Sequence, residues 1–213
     1  MHRVTAQDQA GAGFGVGFEW DVDLLSGYKS SFIENVALEP GLHHFNGVDA
    51  PGVGAALRQG HFDAVLVTGW HLKGYIQAVV AAKRYGLPVM VRGDSQLETQ
   101  RSFAKKAAKA LAYPFVLRAF DAALYVGARS KAYWRHYHYP EHRLFFSPHC
   151  VDNDLFAAEA ARGAGPALRQ RLSISPDTAL VLFAGKLQSF KRPLDVVDAC
   201  SLLRANGKDA QVL

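Results

Sequence analysis

Two lysines five residues apart, Lys186 and Lys191, follow a glycine that ends an apolar run, a grouping suited to holding a diphosphate. The run Leu180-Val181-Leu182-Phe183-Ala184 reads as a parallel strand buried on both faces. Gly185 lets the backbone turn tightly, and Pro193 falls near the first turn of a helix predicted over residues 193–206, with Gly207 as its stop. A helix N-terminus offers unpaired N–H groups and a partial positive charge, to which the lysines add full charges. The same lysines on an ordinary strand–loop–helix unit would simply be solvated, and from the residues alone both readings stand.

Other candidates sit at predicted strand ends, the edge at which open α/β sheets bind ligands. Val67-Thr68-Gly69-Trp70-His71 ends one strand. His71 there can donate to or accept from a ligand hydroxyl, and Gly69 allows a ligand close to the backbone; a surface-loop histidine is the alternative. Val91-Arg92-Gly93-Asp94-Ser95 ends the next strand, so Arg92, Asp94 and Ser95 would share that rim. Asp94 and Ser95 can bind hydroxyls, and Ser95 can equally cap the following helix.

The stretch from Arg101 to Leu111 sets lysines beside apolar residues. It suits either contact with an anionic membrane surface or a solvated outer helix face. The run Tyr133 to Arg143 is rich in His and aromatics, but His136 and His138 on one helix would point apart, against a metal site. No metal and no nucleic-acid partner is expected.

These residues need a scaffold of alternating elements. Strands are predicted over residues 63–68, 88–92, 121–126 and 143–146. Helices are predicted over 74–85, 96–119 (broken in two by Pro114) and 130–137, the last capped by Ser130. A short strand is expected through Phe32 and Ile33. Strands alternating with helices mean βαβ units and a parallel sheet, with helices expected on both faces. The glycines at 11, 13, 15 and 17 miss the G-x-G-x-x-G spacing and have no strand before them, so a loop is expected there and a nicotinamide oxidoreductase is disfavoured.

The 213 residues suffice for one large domain, or for one domain and part of another. With 49% hydrophobic and 20% charged residues the composition is that of a soluble globular protein. Neither a signal peptide nor a membrane-length apolar run is evident, and two cysteines make no disulfide framework. Cys150 and Cys200 are both expected to be buried thiols in a reducing cytoplasm. A net charge of +5 suits an anionic partner.

The phrase Phe183-Ala184-Gly185-Lys186-Leu187 followed by Lys191-Arg192 resembles the opening of the second domain in family-4 retaining glycosyltransferases of the GT-B fold. Lys186 stands where that family more often has Arg. The phrase from Trp20 to Tyr28 and the Val151-Asp152-x-x-x-Phe156 string are similar to segments of the same family and occur in its order, so the resemblance spans about Gly13 to Leu213. Where relatives often carry Asn-Gly before the Val-Asp, this chain has His149-Cys150.

The resemblance implies a Rossmann-like acceptor-side domain over 1–157 lacking its first strand and helix, a linker over 158–178, and a truncated nucleotide-sugar domain from 179 to 213. It implies that Gly185, Lys186 and Lys191 hold the diphosphate of a nucleotide sugar, and that His71 lies by the reacting sugar. The acceptor would be a glycan or a lipid-linked sugar, the enzyme cytoplasmic or peripheral on the inner membrane face, and no cofactor is needed. The family's E-x7-E motif would fall beyond Leu213, so the chain as it stands is expected not to turn over; sugar transfer by it would refute that expectation. A non-catalytic nucleotide- or membrane-binding module and a nucleotide-sugar epimerase are the alternatives.

Overall fold

The computed structural model describes residues 25–98 and 102–213. The glycine-rich stretch at 11–17, expected to be a loop, and the start of the Trp20 phrase lie outside them. The described residues cluster into two units, Leu25–Cys150 and Val151–Leu213.

The first unit is built on strands β1 (Val65–Val67), β2 (Val89–Gly93), β3 (Ala122–Tyr125) and β4 (Leu144–Phe146). They are parallel and lie in the order β1-β2-β3-β4, with Val67 opposite Val91, Val91 opposite Ala123, and Ala123 opposite Leu144. Between them run α2 (Lys73–Arg84), α3 (Phe103–Val116) and α4 (Ala128–His136); α1 (Val53–Gln59) precedes the sheet. This is the α/β architecture expected, and it is compatible with a Rossmann-like domain.

The expectation of helices on both faces is not met among the described residues. Right-handed crossovers cover both faces only where the strand order reverses, and this order advances steadily in one direction. Val65, Val67, Val89, Val91 and Ala123 form one face and pack with Val79 and Ala82 of α2, with Leu117 and Phe120 just after α3, and with Trp134 of α4. The alternate residues form the other face, where Leu66 is 48% and Phe145 52% exposed.

Local differences have identifiable causes. No strand forms at Phe32 and Ile33. Instead the Asn35 side chain binds the backbone, donating to Gly47 O and accepting from the N–H groups of Asp49 and Ala37. Asp49 in turn accepts from Lys73 (2.6 Å) and Gln77 (2.7 Å), which ties this segment to α2 and lowers the Asp49 pKa. Pro114 does not break α3: it lies near the C-terminal end, where the lost hydrogen bond affects only the last turn before a 3-10 turn at Leu117–Ala119. Ser130 does not cap α4; it lies inside the helix, buried, and donates to Gly93 O at 3.0 Å, joining α4 to the end of β2. Of the two thiols only Cys200 is buried, and Cys150 is exposed beyond β4.

From α4, Arg135 holds Glu141, which follows the helix, through two bonds of 2.7 Å, and Lys131 adds a third. These partners hold the Glu141 carboxyl down at about 2, against an ordinary value of 4.5. A depressed carboxyl contributes stability that is present above its unfolded value and lost as the pH falls through the folded one. The cluster is exposed and screened, so the effect is modest. The melting-temperature gap between the wild type and Glu141→Gln is expected to be open at neutral pH and to close between pH 4.5 and about 2; a gap that persists at the acid end would refute this account.

In the second unit Asp152 caps α5 (Asn153–Ala161) by accepting from Leu155 N at 2.9 Å, so the Val-Asp string is a helix start. Gly163, at φ 70°, turns the chain into α6 (Ala164–Arg171). Parallel strands β5 (Ala179–Val181) and β6 (Ala210–Val212) are joined through α7 (Pro193–Ala205), which stops at Gly207 with φ 74°. The expectation that this strand is buried on both faces fails: Leu180 is half-buried between exposed Ala179 and Val181. Among the described residues, one partner strand and one crossover helix are too little to cover it.

Candidate functional site

The first candidate region is the C-terminal edge of the four-stranded sheet. Just beyond β1, Trp70 and His71 part ways. The Trp70 ring packs against Phe120 and Trp134, and its Nε1 donates to Tyr113 Oη at 3.2 Å. His71 stays exposed, edge-on to the Tyr75 ring at 5.6 Å, and Tyr75 Oη shares a 3.0 Å hydrogen bond with Thr68 Oγ1. Gly69 makes this possible. Its φ is 149°, and a Cβ there would stand 3.1 Å from His71 Nδ1. The space at Gly69 is thus taken by the His71 ring, not left open for a ligand.

β2 ends beside it, and a Cβ on Gly93 would lie 3.8 Å from the Trp70 ring, so the two strand ends are in contact. Asp94 is exposed and Ser95 half-buried just beyond. Ser95 does not cap the following helix, which starts at Phe103 with Ser102 in the N-cap position.

Arg92 takes a role the sequence did not suggest. Its guanidinium reaches past β3 to the segment that follows β4. Nε donates to Ser147 Oγ at 3.2 Å, and one Nη donates to the carbonyls of Ser147 (3.3 Å) and Pro148 (2.9 Å) and meets His149 Nδ1 at 3.3 Å. His149 is thereby brought to the same rim. Nothing in the spacing of Arg92 and His149 announces this, because it depends on the strand order. Lysine keeps the charge but cannot reach these acceptors together. Arg92→Lys is expected to cost about 1–2 kcal/mol and to speed amide exchange at Ser147 and His149; an unchanged melting temperature and exchange rate would mean that the contacts are incidental.

The second candidate region lies in the second unit. The ladder continues past β5, with Leu213 N donating to Val181 O and Phe183 N donating to Leu213 O, each at 2.9 Å. Gly185 follows, where a Cβ would come within 3.3 Å of the Phe183 ring. Two tight turns come next: Gln188 N donates to Lys186 O (2.8 Å) and Lys191 N to Gln188 O (2.9 Å). Lys186 is half-buried and Lys191 exposed. Pro193 occupies the start of α7, as expected. The backbone just before it is unusual: Arg192 has φ 53°, a left-handed conformation disfavoured for a side-chain-bearing residue and more so before proline. Arg192 is held by Asp195 at 2.7 Å in the first turn of α7. A left-handed residue at such a turn is a signal that propensity reading does not reach.

His136 ends α4 and His138, at φ 56°, lies outside it. Among the described residues no group of three or more His, Cys, Asp and Glu side chains could hold a metal ion. Among the same residues no helix is long and apolar enough to cross a membrane. No protein-family model matches this chain, and no curated protein sequence matches it either.

Proposed function

We propose that this chain is part of a retaining, GT-B-type glycosyltransferase that moves a sugar from a nucleotide-diphosphate donor to a glycan or lipid-linked acceptor in the cytoplasm. The observation that supports the reading is the run of turns from Gly185 to Pro193, which sets Lys186 and Lys191 between a strand end and the N-terminus of α7. The bond from the sugar to the diphosphate breaks in such a transfer, and negative charge grows on the departing phosphate oxygen. Fixed lysine ammonium groups and helix N–H groups stabilise that charge more as it develops than before, which is what lowers the barrier. His71, exposed at the end of β1, is assigned to hydroxyls of the reacting sugar, with Gly69, Asp94 and Ser95 on the same rim. Arg92 acts here by positioning the Ser147–His149 segment.

The test is calorimetric titration of the chain with UDP, GDP, ADP and CDP and with their sugar conjugates. Binding of at least one nucleoside diphosphate and its sugar conjugate is expected. Binding of a diphosphate with no conjugate tolerated would favour a nucleotide-binding module, and no binding at all would overturn the proposal.

A further inference from the structure

Between α3 and α4 the first unit has a recess of about 200 Å³ that gathers cations without a carboxylate. The buried part of its lining is aromatic. Tyr133 and Tyr137 are 3% and 8% exposed, with ring centroids 5.0 Å apart. Lys106 and Lys109 line it from α3, His136 from the end of α4, and Gln96 from the segment after β2. Glu98, which follows the lining residue Leu97, stands 3.9 Å from Arg129 instead. Lys109 is held in place: its ammonium donates to Tyr133 Oη at 3.3 Å and lies 4.6 Å from the centre of the Tyr113 ring. Lys106, one turn earlier on the same face, is exposed, and among the described residues it pairs with no carboxylate. Like charges a turn apart repel. Lys106 also closes the first turn of α3, the positive end of the helix dipole, where no acidic residue stands.

We propose that this recess binds the phosphate group of a small, soluble phosphate monoester. A dianionic phosphate between Lys106 and Lys109 offsets both charges and meets the end of the helix dipole that favours anions. Lysine binds phosphate as a point charge, whereas the fork that grips a planar carboxylate through two bonds belongs to arginine, which is absent from the lining. The Gln96 amide and the His136 ring supply bonding groups for the hydroxyls of the ester, and Leu97 and the tyrosine rings supply apolar surface for its carbons. Size sets the class. Sites for drug-sized ligands run to roughly 300–1,000 Å³, so this smaller recess suits an ester of about three to six carbons and not a nucleotide. The site uses none of the residues assigned to the nucleotide diphosphate, so it stands without the transferase reading.

Two-dimensional amide NMR of the full chain, titrated with glycerol 3-phosphate in lipid-free buffer, tests it. Saturable shifts are expected at residues 96–97, 106–109 and 133–137. Inorganic phosphate should move the same amides with lower affinity, and glycerol should move none. Lys106→Ala is expected to weaken binding roughly 10- to 100-fold, the loss of one charged hydrogen bond, while the ligand-free melting temperature stays at least as high. Lys105→Ala removes an equal charge from a side chain that does not line the recess, and should leave the affinity as it is. Absence of saturable shifts, shifts that map instead to residues 185–193, or undiminished binding by Lys106→Ala would each overturn the proposal. So would an equal loss in the two variants, glycerol binding as well as its phosphate, or a response to phosphatidate vesicles with none to the soluble ester.

Discussion

Replacing Lys186 and Lys191 together with alanine is expected to weaken nucleoside-diphosphate binding by about a hundredfold or more. A hydrogen bond to a charged group is worth roughly 1.5–3 kcal/mol, and two are removed. What remains is the N-terminus of α7, whose partial charge contributes about 0.3–1 kcal/mol on an exposed surface. Lys186 is only half-buried and Lys191 is exposed, so the double variant should still fold and melt cooperatively. Two controls separate site from bulk charge. Lys186→Arg keeps the cation and should retain binding, whereas removing Lys105 and Lys106 lowers the net charge equally and should leave nucleotide affinity unchanged. Titration calorimetry at low and moderate salt reads all of these. An affinity in the double variant within a few-fold of the wild type would remove Lys186 and Lys191 from the site.

The elements of the first unit were legible because each strand is a short apolar run between turn residues. Val65–Val67 follows Asp63, Val89–Gly93 follows Gly86 and Pro88, and Ala122–Tyr125 precedes Gly127. The order of those strands was not legible, and most of the differences trace to it. A steady order leaves one face with little cover, so Leu66 and Phe145 are exposed despite being apolar. It also sets β2 and β4 either side of β3, which lets Arg92 hold Ser147, Pro148 and His149 more than fifty positions away. Ser130 misled for a related reason. A serine near a helix start satisfies the pattern of a cap, but in the fold its hydroxyl finds Gly93 O across the helix–sheet interface.

The candidate sites divide the same way. The turn at Gly185 and the proline at the head of α7 are local features, and local chemistry fixes them. The left-handed Arg192 is local too, but nothing in residue type announces it, since glycine would be the default there. At the other rim, Gly69 reads as a place of close approach, and it is one; the group that approaches is the chain's own His71.

Trp134→Ala is expected to have the largest effect on stability of any single substitution in the first unit. Trp134 is 1% exposed and is the largest of the fully buried side chains. Its ring meets Trp70 at 5.6 Å and Tyr139 at 5.0 Å, both in tilted edge arrangements that add to plain burial. Trp70 in turn abuts Gly93 at the end of β2, and Tyr139 donates from its hydroxyl to Phe120 O at 2.9 Å. Burial also pushes the Tyr139 hydroxyl up to about 12, so it stays a neutral donor at all working pH. Removing the indole therefore leaves a cavity under the strand ends and loosens the partners that carry Tyr113 and Phe120. Buried tryptophan truncations cost roughly 3–5 kcal/mol, a large share of the roughly 5–15 kcal/mol that a domain has. The urea midpoint of the first unit should fall by about 2 M, followed by near-ultraviolet circular dichroism. Trp134→Phe keeps a ring against Trp70 and should fall between the two. If the alanine variant unfolds at the wild-type midpoint, Trp134 is not the centre of this core, and the strand-end rim that carries His71 and Arg92 is supported by something else.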